Sequence, residues 1–236
     1  MEHGRGSWAL LLAAILPAVA AGADRAPVLV ELFTSEASAS SPPADLLLQK
    51  LDAAAIVLSE HVSALDNGLW RDRLATADLT KRQQAYADRF RLDRTYVPEM
   101  VVAGAAQFLG SDAKRAEQEI AKAAKRVRAV PRLLWVTDGV QVEIDGAHLG
   151  DRVYLALADA GVSTVVAGGE NKGRQLQHVA VCREIRDAGV VPLGGAFYHL
   201  VPLPPQAHKQ RAIVWMQVGE AGLVAGAAML PPEDPQ

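Results

Sequence analysis

The order of the apolar runs is the feature that most restricts the fold of this chain, because the pattern changes near Val130 and Pro131. Before this point, short apolar runs alternate with segments whose apolar residues recur at helical spacing. After it, apolar runs follow one another between glycines and prolines, which is typical of an antiparallel sheet. The pattern predicts an α/β domain over residues 24–130 and a β-rich domain, sandwich or barrel-like, over residues 131–236.

In the first part, the run VLVELF at residues 28–33 predicts a buried strand. A helix capped by Ser40 or Ser41 should follow, because Pro42 and Pro43 fit a first helical turn whose N–H groups lack partners in any case. The remaining patterns predict a strand, a helix, two strands and a helix, at residues 56–62, 80–91, 95–104, 107–110 and 111–127. The second part predicts seven strands, at residues 132–137, 140–144, 152–159, 163–169, 178–185, 211–219 and 223–230.

The N-terminus has the pattern of a secretory signal peptide. Arg5 precedes an apolar run from Trp8 to Ala21 that contains Pro17 and ends in small residues. This run is short for a membrane span, which needs about 20 apolar residues. We therefore expect residues 1–23 to be removed and the protein to be exported, to the periplasm or beyond the cell. Contact with a membrane is expected only through the uncleaved signal peptide.

Charge and cysteine content exclude several classes of function. The net charge is only -3, and the densest basic stretch, residues 114–128, contains acidic residues at helical spacing, so we expect no nucleic-acid partner. Cys182 is the single cysteine, so no disulfide can form within the chain. Its apolar surroundings, HVAVCREI, predict a buried thiol rather than a reactive one.

Four separated stretches resemble a family of secreted, thioredoxin-like bacterial proteins of unassigned function. They are VELFTSEASASSPPAD (30–45), HVSALDNGLWRD (61–72), TKRQQAYADRFRLDRTYVPEMVVAG (80–104) and GENKGRQLQHVAV (169–181). The resemblance spans nearly all of the chain after the signal peptide. It implies an α/β thioredoxin-like domain followed by a β-rich domain.

The sequence departs from the family pattern where that pattern has a Cys-x-x-Cys pair before Pro-Pro-Ala-Asp. Ser38 and Ser41 stand at the two cysteine positions. Thiol–disulfide exchange needs an attacking thiolate and a second thiol that resolves the mixed disulfide, and serine provides neither. We expect Ser38 and Ser41 to be vestigial redox positions in a protein that is not an enzyme. The alternative is an oxidoreductase activity retained with a thiol supplied by another molecule.

Other chemistries have weaker support in the sequence. A serine hydrolase would need a base, for which His61 with Asp66 are the nearest candidates, but no Gly-x-Ser-x-Gly motif is present. The histidines lack metal-ligand spacing, so we expect no metal and no cofactor, although a site assembled across the two parts stays open. The GENKGR segment, residues 169–174, predicts a tight turn rather than a phosphate loop.

A binding function remains. The resemblance implies that the peptide bond before Pro98 is cis and that the backbone beside it can receive an extended peptide as an added strand. The predicted groove is bounded by residues 37–41 and 96–99, and its partner would be an exported polypeptide. The predicted binding residues are Ala37, Ser38, Ser41, Tyr96, Val97 and Pro98. The alternative is that the second part of the chain fills the groove.

Overall fold

The structure is a computed structural model and describes residues 26–66 and 70–233. The predicted signal peptide lies outside the described residues. The helices are α1 (Ser41–Leu51), α2 (Ala77–Phe90) and α3 (Ala113–Ala124). The strands are β1 (Ala26–Thr34), β2 (Ala55–His61), β3 (Glu99–Val102), β4 (Ala106–Leu109), β5 (Arg132–Val136), β6 (Gly139–Ile144), β7 (Asp151–Val165), β8 (Gln175–Val190), β9 (Phe197–Pro202), β10 (Arg211–Val218) and β11 (Val224–Leu230).

Eight strands form one large mixed sheet in the order β11-β10-β7-β8-β2-β1-β3-β4. β1 pairs in parallel with β2, and β2 pairs in parallel with β8, whereas the other neighbours are antiparallel. The remaining strands form a small antiparallel sheet in the order β5-β6-β9. No helix within the described part of the chain is long and apolar enough to cross a membrane.

The predicted fold class, an α/β thioredoxin-like domain followed by a β-rich domain, is wrong. The protein is mostly β, and strands from both halves of the chain form the large sheet. The junction is the pairing of β2 with β8, where Ser59 lies opposite Val181. The sequence pattern did not predict this junction. It indicated separate short strands in this region, whereas β7 and β8 contain 15 and 16 residues.

The predicted order of helices and strands in the first part is confirmed, but not every predicted helix start is. The sequence predicts an apolar stripe of Ala44, Leu47, Leu48 and Leu51 on helix α1; Leu47 is half-buried and the other three are buried. Ser40 makes no side-chain capping bond. Helix α2 begins at Ala77, three residues before the predicted start at Thr80. Its cap is Thr76, whose side chain accepts a hydrogen bond from the backbone N–H of Leu79. Because this cap lies four residues before Thr80, the helix begins about one turn earlier than predicted.

Two apolar cores lie on the large sheet. One packs β1, β2 and helix α1 with residues of β7, β8 and β10, including the fully buried Trp215. The other packs the small sheet against β7, β10 and β11. Because both cores include strands β7 and β10, the two halves of the chain share their apolar interior.

Candidate functional site

The loop between β1 and α1 lies beside the segment that contains Pro98, as the predicted groove requires. The Oγ of Ser40 donates a hydrogen bond to the carbonyl oxygen of Val97 at 3.5 Å. The peptide bond between Val97 and Pro98 is cis. Ala37, Ser38, Ser41 and Pro98 are buried, whereas Tyr96 and Val97 are half-buried. The exposed loop residues are Ala39 and Ser40, which lie within the predicted bounds 37–41 but are not among the six predicted binding residues.

The serine hydroxyls at the two cysteine positions make hydrogen bonds within the loop. The Oγ atoms of Ser38 and Ser40 lie 2.8 Å apart, and the Oγ of Ser41 accepts a bond from the backbone N–H of Ser35 at 3.4 Å. Cys182 lies in β8 and is fully buried. Burial raises the pKa of its thiol well above the ordinary value, so the thiol stays protonated near neutral pH.

The turn between β7 and β8 binds the backbone of this loop. Asn171 donates from Nδ2 to the carbonyl oxygens of Glu36 and Ser38, at 3.0 and 2.7 Å. The N–H of Glu170 donates to the carbonyl oxygen of Ala37 at 2.9 Å, and the N–H of Ala39 donates to the Glu170 carboxylate at 2.8 Å. Four consecutive loop residues are therefore fixed by a turn more than 120 positions further along the chain.

Close packing explains the glycine that precedes these residues. Gly169 has a φ of +72°, and a Cβ there would lie 2.7 Å from the Cα of Ala37. Any larger residue would force the turn away from the loop. The GENKGR segment is thus the tight turn that the sequence predicts. Its binding to the loop was missed, although residues 169–181 carried part of the family resemblance.

A buried cluster of two histidines and three carboxyl groups lies beneath the loop. His61 Nδ1 is 2.9 Å from Asp72 Oδ2, and the same oxygen accepts the backbone N–H of Glu36 at 2.9 Å. Burial acts to raise the pKa of Asp72, but the bonds from His61 and the backbone outweigh it and lower that pKa. His61 therefore pairs with Asp72, not with Asp66 as the hydrolase alternative supposed.

His178 lies between the other two carboxyl groups of this cluster. Its Nε2 is 3.5 Å from Glu36 Oε1, and its Nδ1 is 3.6 Å from Asp45 Oδ2. Its ring meets that of His61 edge to face, with centroids 4.7 Å apart. Burial raises the pKa of Asp45, whereas at Glu36 the bonds from His178 and Thr164 outweigh burial and lower the pKa. Within the described ranges, no three His, Cys, Asp or Glu side chains are placed to hold a metal ion.

The segment beside Pro98 is held from the other side by helix α2. Gln83 donates from Nε2 to the carbonyl oxygen of Tyr96 at 2.8 Å and to Glu99 Oε2 at 3.1 Å. Burial raises the pKa of Glu99 to about 7. The Tyr96 hydroxyl donates to Gln107 of β4 at 2.5 Å. The segment is therefore anchored to both the helix and the last strand of the sheet.

Strand β4 ends the large sheet beside this segment. Glu99 pairs with Leu109, and the N–H of Gly110 donates to the carbonyl oxygen of Pro98 at 2.9 Å. The Leu109 side chain is 52% exposed. An edge strand offers backbone N–H and C=O groups that can pair with another chain. We call the surface formed by Ala39, Ser40, Tyr96, Val97 and Leu109 the loop–edge surface.

A second buried network lies under helix α2 and centres on Arg82. Its Nε donates to Glu31 Oε1 at 2.7 Å, and Tyr86 donates its hydroxyl to Glu31 Oε2 at 2.6 Å. The guanidinium carbon lies 5.1 Å from the ring centroid of Trp215. Glu60 lies nearby, with Oε1 3.7 Å from Arg82 Nε. Burial and repulsion from Glu31 raise the pKa of Glu60 well above its ordinary value.

Comparison with known proteins gives a family and two structural neighbours. The family described as "Protein of unknown function (DUF1223)" matches residues 29–217. A crystal structure of an Agrobacterium tumefaciens protein is similar, with 21% identity, a TM-score of 0.78, and coverage of 90% of this chain and 97% of that one. HBP35 of Porphyromonas gingivalis is similar at 11% identity and a TM-score of 0.53, over 89% of this chain and 78% of that one. The search of curated proteins found no significant match. At these identities the structural likenesses bear on the fold alone.

Proposed function

We propose that this chain, which belongs to the DUF1223 family, is an exported protein that binds an extended polypeptide and does not exchange electrons with it. The observation that carries the proposal is the loop–edge surface, where the open edge of β4 lies beside half-buried Tyr96 and Val97. A polypeptide that adds to β4 as a further strand gains main-chain hydrogen bonds, and its side chains contact the exposed Ala39 and Ser40.

Burial of the single thiol of the sequence supports binding without redox chemistry. Hydroxyl groups occupy positions 38 and 41, and burial keeps the Cys182 thiol protonated and out of reach of a partner. Exchange with a disulfide requires an accessible thiolate. The proposal therefore assigns no electron transfer to this chain.

Export is proposed from the N-terminal pattern of Arg5, the apolar run to Ala21 and the small residues that follow. These residues lie outside the described part of the chain. Cell fractionation and the mass of the mature N-terminus test the export step. Recovery of the full-length chain from the cytoplasm alone would contradict it.

A binding experiment tests the polypeptide site directly. The probe is a reduced, alkylated and fluorescently labelled protein that stays unfolded, and the readout is fluorescence anisotropy. We expect Leu109→Glu to weaken binding at least about tenfold, because it places a charge at the edge where the added strand would lie.

The matched control is Leu193→Glu, the same change at a leucine that is 87% exposed and outside the loop–edge surface. This control should leave the affinity unchanged. Wild-type protein that does not bind the probe, or equal effects of the two variants, would refute the site.

A further inference from the structure

A cleft separate from the loop–edge surface lies between helix α2 and the strands β7 and β8. Its volume is about 470 Å³. This volume lies within the range of small-molecule sites, roughly 300–1,000 Å³. Leu79 of α2, Tyr154 of β7 and Ile185 of β8 provide apolar walls. Such walls favour a ligand with apolar groups between its polar ones.

Arg82 supplies a fixed hydrogen-bond donor in this cleft. Its side chain is only 8% exposed, and it lines the cleft. Nε donates to Glu31, Nη1 to the carbonyl oxygen of Glu220, and Nη2 to both Tyr86 and Gln217. One N–H of Nη1 thus has no acceptor within residues 26–66 and 70–233. Stacking and these bonds hold the guanidinium in place, so a ligand carbonyl would bind it at little entropic cost.

The cleft wall carries both signs of charge, and most of these charges are already paired. Lys81 pairs with Asp78, Arg152 with Asp187, and Glu184 with Arg186. Two groups remain. The exposed Glu220 carboxylate forms no ion pair with any described residue, and Arg183 binds Asp159 through Nε, which leaves its Nη groups unused by the described chain.

The two remaining groups both line the cleft. The turn that carries Glu220 meets Tyr154, whose hydroxyl donates to the carbonyl oxygen of Gly219 at 3.4 Å. Tyr154 lies opposite Asp187 in the β7–β8 pairing, and Arg183 lies four residues before Asp187 on β8. At about 3.3 Å per strand residue, roughly 13 Å of strand β8 separates Asp187 from Arg183 along the cleft. An extended tripeptide with its terminal groups has about this length.

We propose that this cleft binds a short zwitterionic peptide of about three residues. The ammonium group pairs with the Glu220 carboxylate, and the terminal carboxylate accepts hydrogen bonds from the Arg183 Nη groups. A peptide carbonyl accepts the remaining N–H of Arg82. Small apolar side chains pack on Leu79, Tyr154 and Ile185.

Titration calorimetry of the full mature chain with trialanine tests this assignment. Blocking either end of the probe, as N-acetyl-trialanine or as trialanine amide, should weaken binding about tenfold, because each block removes one charge-assisted contact. Wild-type protein that does not bind trialanine, or that binds the blocked forms equally well, overturns the proposal.

Two variants locate the contacts. Glu220→Gln should weaken trialanine binding about tenfold and abolish the effect of N-acetylation, whereas Arg183→Gln should abolish the effect of the C-terminal amide. Glu117→Gln and Arg126→Gln, exposed residues of the α3 region, serve as matched controls and should change nothing. If N-acetylation still weakens binding to Glu220→Gln, and the C-terminal amide still weakens binding to Arg183→Gln, the assigned ends are wrong. Leu109→Glu should leave trialanine binding intact, so failure here and failure of the polypeptide site are distinguishable.

Discussion

Adjacent residues of strand β2, Glu60 and His61, belong to two buried charge clusters on opposite faces of the large sheet, because neighbouring strand residues point to opposite sides. Glu60 joins the network of Arg82, whose charge is permanent. His61 joins the cluster with Asp72 and His178, where the possible cations are histidines alone. The first cluster should therefore depend on one guanidinium, and the second should depend on pH.

The largest expected effect comes from removing the permanent cation. Arg82→Met leaves the Glu31 carboxylate buried without its cation, and we expect a loss of about 3–5 kcal/mol in the free energy of unfolding. Urea denaturation measures this value. Lys81→Met, at the exposed neighbouring position, should change stability by less than about 0.5 kcal/mol. Equal effects of the two variants would show that the buried pair contributes nothing specific.

The histidine cluster should respond to acid. The pKa of Asp72 is lowered in the folded protein, so its contribution to stability is present above the unfolded-state pKa and is lost as pH falls through the folded-state pKa. Asp72→Asn should cost about 2–3 kcal/mol at pH 7, because it weakens the bonds from His61 and the backbone. In urea melts at several pH values, this difference should shrink below about pH 4. A difference as large at pH 3 as at pH 7 would contradict the assigned cause.

Glu99 should show the opposite dependence. Its folded-state pKa is raised to about 7, so the folded protein holds a proton that the unfolded chain has released, and stability falls as pH rises from the ordinary carboxyl range toward 7. Glu99→Gln should remove this fall. Between pH 5 and pH 8, the free energy of unfolding should therefore decrease by about 2 kcal/mol less in the variant than in the wild type. Parallel pH profiles for both proteins would exclude a raised pKa at this position.

The turn that binds the loop should contribute less. Asn171→Ala removes the Nδ2 donor to the carbonyl oxygens of Glu36 and Ser38, of which Ser38 keeps the backbone N–H of Ser41, and we expect a loss of about 1–2 kcal/mol. Hydrogen exchange of the Ala39 amide should accelerate in the same variant, because the turn that presents the Glu170 carboxylate is loosened. Lys172→Ala, at an exposed position of the same turn, is the control. Unchanged exchange in Asn171→Ala would mean that Glu170 alone fixes the loop.

The smallest expected effect is none at all. Insulin reduction in the presence of a dithiol should not exceed the uncatalysed rate, and Cys182→Ala should not change it, because no accessible thiolate exists. Catalysed turnover by the wild-type protein would restore the oxidoreductase alternative. A variant with both Ser38→Cys and Ser41→Cys is the positive comparison. It should form an intramolecular disulfide if the loop keeps a geometry suited to the bond.

The sequence patterns predicted which segments form helices and strands better than they predicted which strands pair with one another. The stripe of Ala44, Leu47, Leu48 and Leu51 predicted helix α1, because helical spacing can be read from residues that are close in the sequence. The pairing of Ser59 with Val181 cannot be predicted from neighbouring residues, since it joins residues more than 120 positions apart. Strand β9 was missed for a related reason, because only its pairing with β6 defines it.

The residues of the candidate site also divide into those that the sequence predicted and those that it did not. The family motifs placed Ser38 and Val97 near each other, and the structure brings their two segments into contact at Ser40. Asn171, Glu170 and the partner of His61 were missed. Backbone carbonyls that accept a distant amide leave no mark in the sequence, and a buried carboxylate such as Asp72 looks like any surface aspartate.

The sequence by itself determined which atoms this protein has for chemistry. It places oxygen instead of sulfur at positions 38 and 41, a single thiol in an apolar strand, and two prolines where only the first turn of a helix accepts them. Only the tertiary structure decided that both halves share one sheet and that buried charges meet on its two faces. Side-chain identity is a local property, whereas strand pairing and charge pairing depend on which distant segments can be buried together.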